Sequence, residues 1–366
     1  MKMTTYIIRR LLLLIPVVLG VTAFTFALTR ANIAVWIRSM VPGHTSSSQL
    51  LKQEQKIIAI YHLHSPVYIQ YFYYMKGLLL GDWGTTTSTD FLVANRPVFQ
   101  VMQERLPNTI ELAIASIILV VIMSIPLGVI SAVRRDKLPD HASRLWAMIS
   151  YSTPTFWLGL LVLFFVTLTP IVSITAITGS IGLQYYFTAN GSFEPWVVHQ
   201  GTTILSTRPT GFLLLDTLIY GDIPAFINGL EHIALPALTV ALTSMGAIVR
   251  FLRSSMLDAM GQDYVRTARA KGLPQKRVIN KHVKRNAYSA TVTILGLLLA
   301  SLMGGVVITE AIFFWPGIGY WLAEAAIVND FASIMASVFV FAIIIVTANL
   351  IVDIVYAYLD PRVRLG

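Results

Sequence analysis

The sequence predicts an all-α integral membrane protein of six transmembrane helices, with both termini on the cytoplasmic side. Three observations carry this expectation: 55% of the 366 residues are hydrophobic, mean hydropathy is +0.69, and the apolar residues gather in runs approaching the roughly 20 needed to cross a bilayer core. With only 12% charged residues, a soluble chain of this size would lack the charged surface that keeps it dissolved. Cysteine is absent, which excludes disulfides, thiolate zinc sites and thiol catalysis.

The first expected span covers residues 7–28. Lys2 before it and Arg9 and Arg10 in its first turn look like the charged start of a signal peptide, but the apolar run is too long for a signal core and lacks a small-residue cleavage site, so it is read as a retained helix. The remaining spans are expected over residues 110–133, 145–171, 235–252, 290–312 and 334–356, each able to satisfy its own backbone as a helix in lipid. Pro126, Pro154 and Pro170 are candidate kinks.

Charge orients the helices, because Lys and Arg near helix ends are retained on the cytoplasmic side. Residues 250–285 hold ten basic residues against Asp258 and Asp263, a net charge of +8, close to the +9 of the whole chain. Arg134, Arg135, Lys137, Arg362 and Arg364 fall on the same side. The loop over residues 173–232 has Arg208 against four acidic residues, a net charge of −3. The N-in, C-in arrangement leaves residues 30–106 and 173–232 outside, as two caps whose Trp, Tyr and Pro content argues for folded structure. Within them "GDWG" (81–84) reads as a turn with an interfacial tryptophan, and "NGS" at Asn190 is a weak glycosylation pattern. The whole chain, 1–366, reads as a single transmembrane domain.

The densest basic run, "YVRTARAKGLPQKRVINKHVKRNA", reads as two helices with a tight joint inside a cytoplasmic segment over residues 258–285. Asp263 suits a helix N-terminus, Gly272 a left-handed C-terminal cap, and Leu273-Pro274 a stop. Arg266 and Arg269, three apart, repel, and a helix of under three turns is marginal alone, so an acidic partner is expected to hold it. Thr267, Ala268, Ala270 and Gly272 keep its waist thin enough to enter a groove, and Tyr264 and Leu273 supply apolar ends. The competing reading is a basic loop lying on anionic lipid, at about 1 kcal/mol per basic residue.

The order of residues favours the first reading. "DYVRTARAKGL" followed by "HVKRNA" resembles the EAA motif of ABC importer permeases, in the form found in the dipeptide, oligopeptide and nickel permease family. The similarity runs along nearly the whole chain, through "YHLHSPVYIQYFYYMKGLLLGDWG", "NRPVFQVMQERLPNTIELA", "IPLGVISAVRR", "STPTFWLGLLVLF", "HIALPALTVAL", "EAIFFWPGIGYWLAEAAIVNDF" and "NLIVDIVYAYLDPRVR". It implies a type I importer permease architecture. It also implies a homologous second permease, two ABC ATPase subunits that hold ATP and Mg, an extracytoplasmic solute-binding protein, and multi-pass residence in the cell membrane. Short peptides are the implied cargo, with oligosaccharides and metal chelates carried by some members. By the same resemblance Tyr264, Arg266, Thr267, Ala268, Arg269, Ala270, Gly272 and Leu273 form the coupling helix that docks on an ATPase, with Arg266, Thr267 and Ala268 in the E-A-A places. Arg266 stands where other branches have Glu, and Lys284 and Arg285 stand where many permeases have Leu and Pro.

The chain itself has no G-x-x-x-x-G-K-[ST] phosphate loop and no H-E-x-x-H, so no cofactor, metal or catalytic residue is expected in it. His282 reads as part of the helix after the motif rather than a metal ligand, and no nucleic-acid partner is expected for charge placed at a membrane face. Glu111, Glu310 and Asp353 are the ionisable residues in or near spans, with Glu310 and Asp353 expected in path or, preferentially, pairing roles. An ion-coupled secondary transporter would call for repeat symmetry and midplane charges, and a membrane scaffold would give no solute flux. Because the native chain has no cysteine, single-cysteine labelling tests the topology cleanly. A cysteine at Ser192 is expected to react with an impermeant reagent from outside and one at Gln275 from inside only; the reverse pattern would overturn the orientation.

Overall fold

The computed structural model describes residues 3–31, 37, 52, 55–59, 62–87, 95–168, 198–200, 203–205 and 210–359. Helix α1 (Met3–Ala31) is followed by α2 (Val67–Leu80) and by the long α3 (Val98–Val133), which continues unbroken through Pro107 and Pro126. The pair α4 (Leu138–Ser152) and α5 (Thr155–Thr167) comes next. A small antiparallel hairpin, β1 (Val198–Gln200) with β2 (Thr203–Leu205), follows between α5 and α6. Then come α6 (Leu213–Ile219), the long α7 (Ile223–Met260), α8 (Asp263–Ala270) and the one-turn α9 (Gln275–Arg277). A π-helical turn (Val278–Val283) leads into α10 (Lys284–Gly305), α11 (Val307–Ile312), α12 (Ile318–Ile327) and α13 (Phe331–Leu359). Asn190 and Pro170 lie outside the described residues, as do the side chains of Arg9, Arg10 and Asp353.

Helix therefore occupies each of the six expected segments, but with different limits. Among the described residues three helices, those beginning at Val98, Ile223 and Phe331, are long and apolar enough to cross a membrane, or four if the bent α4–α5 pair counts as one span. At 36 and 38 residues, α3 and α7 reach about 55 Å, well beyond a hydrocarbon core of about 30 Å. Hydropathy located their apolar middles and missed their polar ends.

The third segment, 145–171, is not straight. Its two halves bend by 100° at Thr153, which is extended (φ −87°, ψ 119°). Pro154 forces this, since its ring disfavours the helical conformation for the residue before it and it has no N–H to continue the ladder.

The spine of the molecule is α3 against α7. Leu112, Ala113 and Val120 of α3 meet Ile233, Ala237, Val240, Ala241 and Ile248 of α7, with Leu302 of α10 and Trp315 closing the layer. Helix α4 approaches α7 closely at Gly246, where a Cβ would come within 2.4 Å of the Ala147 carbonyl oxygen. Only glycine permits that distance, as is common where helices meet in a membrane. On the far side of α3, Ile114, Ile118 and Ile122 repeat every fourth residue and are 44%, 51% and 60% exposed. Such a stripe suits contact with lipid or a neighbouring subunit.

One buried ion pair ties three of these elements together. Arg253 of α7 grips Asp140 of α4 with both ends of its guanidinium, Nε to Oδ1 at 2.7 Å and Nη2 to Oδ2 at 2.8 Å. Ser131 Oγ of α3 donates to Oδ1 at 2.6 Å and the Asp136 N–H of the intervening turn to Oδ2 at 3.0 Å. Asp140 is fully buried while the Arg253 side chain retains 20% exposure, so the two partners are unequal. Arg253→Ala strands a buried carboxylate and is expected to cost about 3 kcal/mol; Asp140→Ala leaves a cation that still reaches water and is expected to cost about 1.5 kcal/mol. The double variant should lose little beyond Arg253→Ala. Simple addition of the two losses, in thermal unfolding of the detergent-solubilised protein, would show that the pair does not act as a unit.

Candidate functional site

The basic segment begins where α7 ends. Met256 and Ala259 on the last turns of α7 join Ala132 of α3, Val265 and Ala268 of α8, Val278, Ile279 and Val283 of the π-helical turn, and Ala287 of α10 in one buried apolar cluster, with Leu273 packed on its edge. Helix α8 has eight residues and would not persist alone. Val265 and Ala268, three apart and 0% and 5% exposed, are the two side chains that seat it.

The end of α8 is fixed by its own backbone. The Leu273 N–H donates to the Ala268 carbonyl at 3.3 Å and the Gly272 N–H to the Arg269 carbonyl at 2.9 Å, the paired bonds of a Schellman motif. Gly272 supplies the left-handed residue this requires, at φ +73°. A Cβ added there meets no heavy atom within 4 Å, so glycine is needed for the backbone and not for internal space.

What remains faces outward. Tyr264, Arg266, Thr267, Arg269, Ala270, Lys271 and Gly272 are exposed. Tyr264 is steadied by Asn286 of α10, whose Nδ2 donates to its hydroxyl at 3.1 Å. Asp263 and Arg266 form an i,i+3 pair at 3.4 Å with side chains 95% and 73% exposed, worth well under about 1 kcal/mol in water. The surface is a short cationic ridge with small residues between its charges, carried on a rigid seat.

Of the predicted docking residues, the structure thus brings Tyr264, Arg266, Thr267, Arg269, Ala270 and Gly272 to one exposed surface. Ala268 is a correction: it points inward, and its smallness lets α8 lie close to α7 and the π-helical turn. Leu273 likewise closes the helix against this cluster. Val265 was missed; it occupies the same inward face three residues before Ala268, and that spacing was its available signal. Asp140 was missed as well, since its partner lies 113 positions away.

Glu310, expected in a path or pairing role, is fully buried, and its Oε2 accepts the Gly319 and Tyr320 N–H groups at 2.7 and 3.1 Å, capping the start of α12. The surrounding "FFWPGIGYWL" segment is largely core. Phe313, Trp315, Ile318 and Trp321 are buried, Trp315 Nε1 donates to the Asn108 carbonyl at 2.9 Å, and Asn108 Nδ2 donates to the Pro316 carbonyl at 2.8 Å. Trp83 of "GDWG" donates to the Leu78 carbonyl at 2.9 Å and lies between Phe99 and Phe339, held by protein. Asp353 falls within α13, its side chain outside the described set.

The family model described as "Binding-protein-dependent transport system inner membrane component" matches residues 124–365, and the one described as "Binding-prot-dependent transport system membrane comp, N-term" matches residues 3–113. The Dipeptide transport system permease protein DppB of Escherichia coli (strain K12) is 33% identical over 368 residues, with 99% of each chain covered. The Probable D,D-dipeptide transport system permease protein DdpB of the same strain is 35% identical, covering 96% of this chain and 95% of its own. The Oligopeptide transport system permease protein AppB of Bacillus subtilis (strain 168) is 34% identical, covering 99% of this chain and 100% of its own. With both family models matched in order and relatives aligned from end to end, the chain belongs to the family of inner-membrane components of binding-protein-dependent transport systems.

Proposed function

We propose that this protein is the transmembrane subunit of an ATP-driven peptide importer, and that α8 is the element through which separate ATPases drive it. The observation that carries the proposal is the seating of α8. Two inward residues fix the helix to the ends of α3, α7 and α10, while its cationic side is left for another molecule. Full-length relatives whose names specify dipeptide and oligopeptide transport support peptides as cargo.

In this reading the six helical segments span the membrane with both ends inside, and the +8 cytoplasmic segment is retained there by its charge. A homologous second permease lines the path together with this chain, and a solute-binding protein delivers cargo on the outer side. ATP and Mg are held by the ATPases. Closure of the ATPase pair displaces α8; because α8 shares one packed cluster with the ends of α3, α7 and α10, those ends move with it and shift the balance between outward- and inward-open states.

The alternative of a basic loop resting on anionic lipid makes a different demand on Gly272. Valine there leaves all ten basic residues in place and, with open space around the Cβ position, adds only left-handed backbone strain, about 1–2 kcal/mol. Gly272→Val is expected to reach the membrane yet lose most ATPase co-purification and substrate-stimulated ATP hydrolysis. Gly272→Asn, which tolerates the left-handed conformation better, should recover a substantial part. Normal assembly and uptake in the valine variant would defeat the docking role and leave the segment a topology signal.

A further inference from the structure

The break between α4 and α5 lies well inside the third expected span, 145–171, and it is open. Tyr151 is 62% exposed, and Ser152 and Pro154 are exposed beside it. Pro154 has no N–H for the Ser150 carbonyl one turn back. Non-helical backbone at membrane depth is tolerated where protein buries it or where it borders a water-filled space. Among the described residues nothing covers these three, so the face they open on belongs to water or to a partner and not to hydrocarbon.

Helix α7 continues that face. Ser150 Oγ donates to the Leu242 carbonyl, Thr155 Oγ1 lies 3.1 Å from Thr243 Oγ1, and the Arg250 guanidinium lies over the Tyr151 ring at 4.6 Å. Along α7, Thr243, Ala247, Arg250, Ser254 and Asp258 recur every three or four residues and so form one stripe. The first two are half-buried and the last three exposed. None is a large apolar residue. The exposed stripe of α3, Ile114, Ile118 and Ile122, is its opposite: that one suits hydrocarbon, and this one suits water.

Arg250 is the charge on this face that the fold leaves uncommitted. It falls inside the expected span 235–252, where a cation is a functional candidate by default. Arg253, one turn on, is paired with Asp140; Arg250 has no hydrogen-bond or ion-pair partner among the described residues. Helical side chains lean toward the N-terminus, and contact with Tyr151 accordingly carries the guanidinium toward the break. Its N–H groups match a carboxylate at two points. We propose that this face lines the cargo path and that Arg250, held over Tyr151, receives the carboxylate of a short peptide in transit. The inference rests on the peptide-import reading and gives it a named binding group. An exposed pair of this kind is weak, so the peptide is held briefly and released.

The test uses the complete complex in liposomes with its binding protein. Gly128 of α3 meets Leu252 of α7, which puts Ile122 and Ala247, each about one and a half turns earlier, at matching depth. The native chain has no cysteine. A charged thiol reagent meets thiolate only in water, so Ala247→Cys is expected to label on the order of tenfold faster than Ile122→Cys. Arg250→Gln is expected to slow uptake of dialanine about fivefold, with the second permease and the ATPases still co-purifying, and Arg250→Lys to recover part of the rate. Labelling of Ala247→Cys no faster than Ile122→Cys, or unchanged uptake in Arg250→Gln beside a working wild type, would overturn the assignment and leave the importer reading intact. So would loss of the second permease from the Arg250→Gln complex, which would place the charge at the subunit interface. A wild-type complex that takes up no dialanine would defeat the peptide reading, and this assignment with it.

Discussion

In a bilayer an unpaired backbone N–H has no water to turn to, so each break in a helix must be answered by the protein itself. This chain answers with buried carboxylates. Glu111 accepts the N–H groups of Leu214 and Leu213 at 2.7 and 3.2 Å where α6 starts, and Glu310 does the same at α12. Asp330 accepts the Ser333 N–H at 3.2 Å in the first turn of α13 and the Thr87 N–H at 2.9 Å from the loop before α3. A carboxylate at a helix N-terminus also meets the favourable end of the helix dipole. Of the 18 acids in 366 residues, these three accept backbone N–H groups at helix starts. They let the short helices α6 and α12 dock beside the α3–α7 spine with these donors satisfied.

The end of the bundle that carries α8 is built by another route, apolar packing around small residues, with the Asp140–Arg253 pair holding α4 to α7 beside it. The π-helical turn belongs to the same construction. Its wider winding turns Val278, Ile279 and Val283 all inward, and places the start of α10 against α8, where Asn286 reaches Tyr264. Such widened turns are uncommon and recur at functional positions. The two anchoring side chains of α8 share one buried cluster with the ends of α3, α7 and α10, so a displacement of α8 bears on that whole cluster. Close-packed interfaces change between discrete arrangements more readily than they deform.

Much of this was legible in the sequence because it follows from short-range rules. Asp263, Gly272 and Pro274 marked both ends of α8 correctly, and the apolar runs located all six helical segments. Pro154 was visible as a candidate break, but whether a proline kinks, breaks or is absorbed depends on neighbours, and Pro126 and Pro236 pass through continuous helices. The polar extensions of α3 and α7 escaped because apolarity measures the lipid-facing length and not the hydrogen-bonded one. The role of Glu310 escaped because its donors are backbone groups, which no side-chain pattern discloses. Ala268 was placed on the wrong side because a small residue suits a partner's groove and the chain's own core equally well, and eight residues are too few for periodicity to decide between them.

Charge in this protein divides by burial into two populations with different work. Asp140 and Arg253 face each other with their hydrogen bonds largely completed inside the chain, and such a pair gives geometry more than reach. Arg266, Arg269 and Lys271 stand in water. The acid beside them, Asp263, is itself 95% exposed at its side chain and holds Arg266 only weakly. A partner that presents carboxylates to the α8 ridge therefore displaces water and gives up almost no intramolecular bonding. In the proposed orientation the same cations, left in solvent, would also hold the segment on the cytoplasmic side. One set of residues can serve retention and docking because both require charge that the fold has left unused.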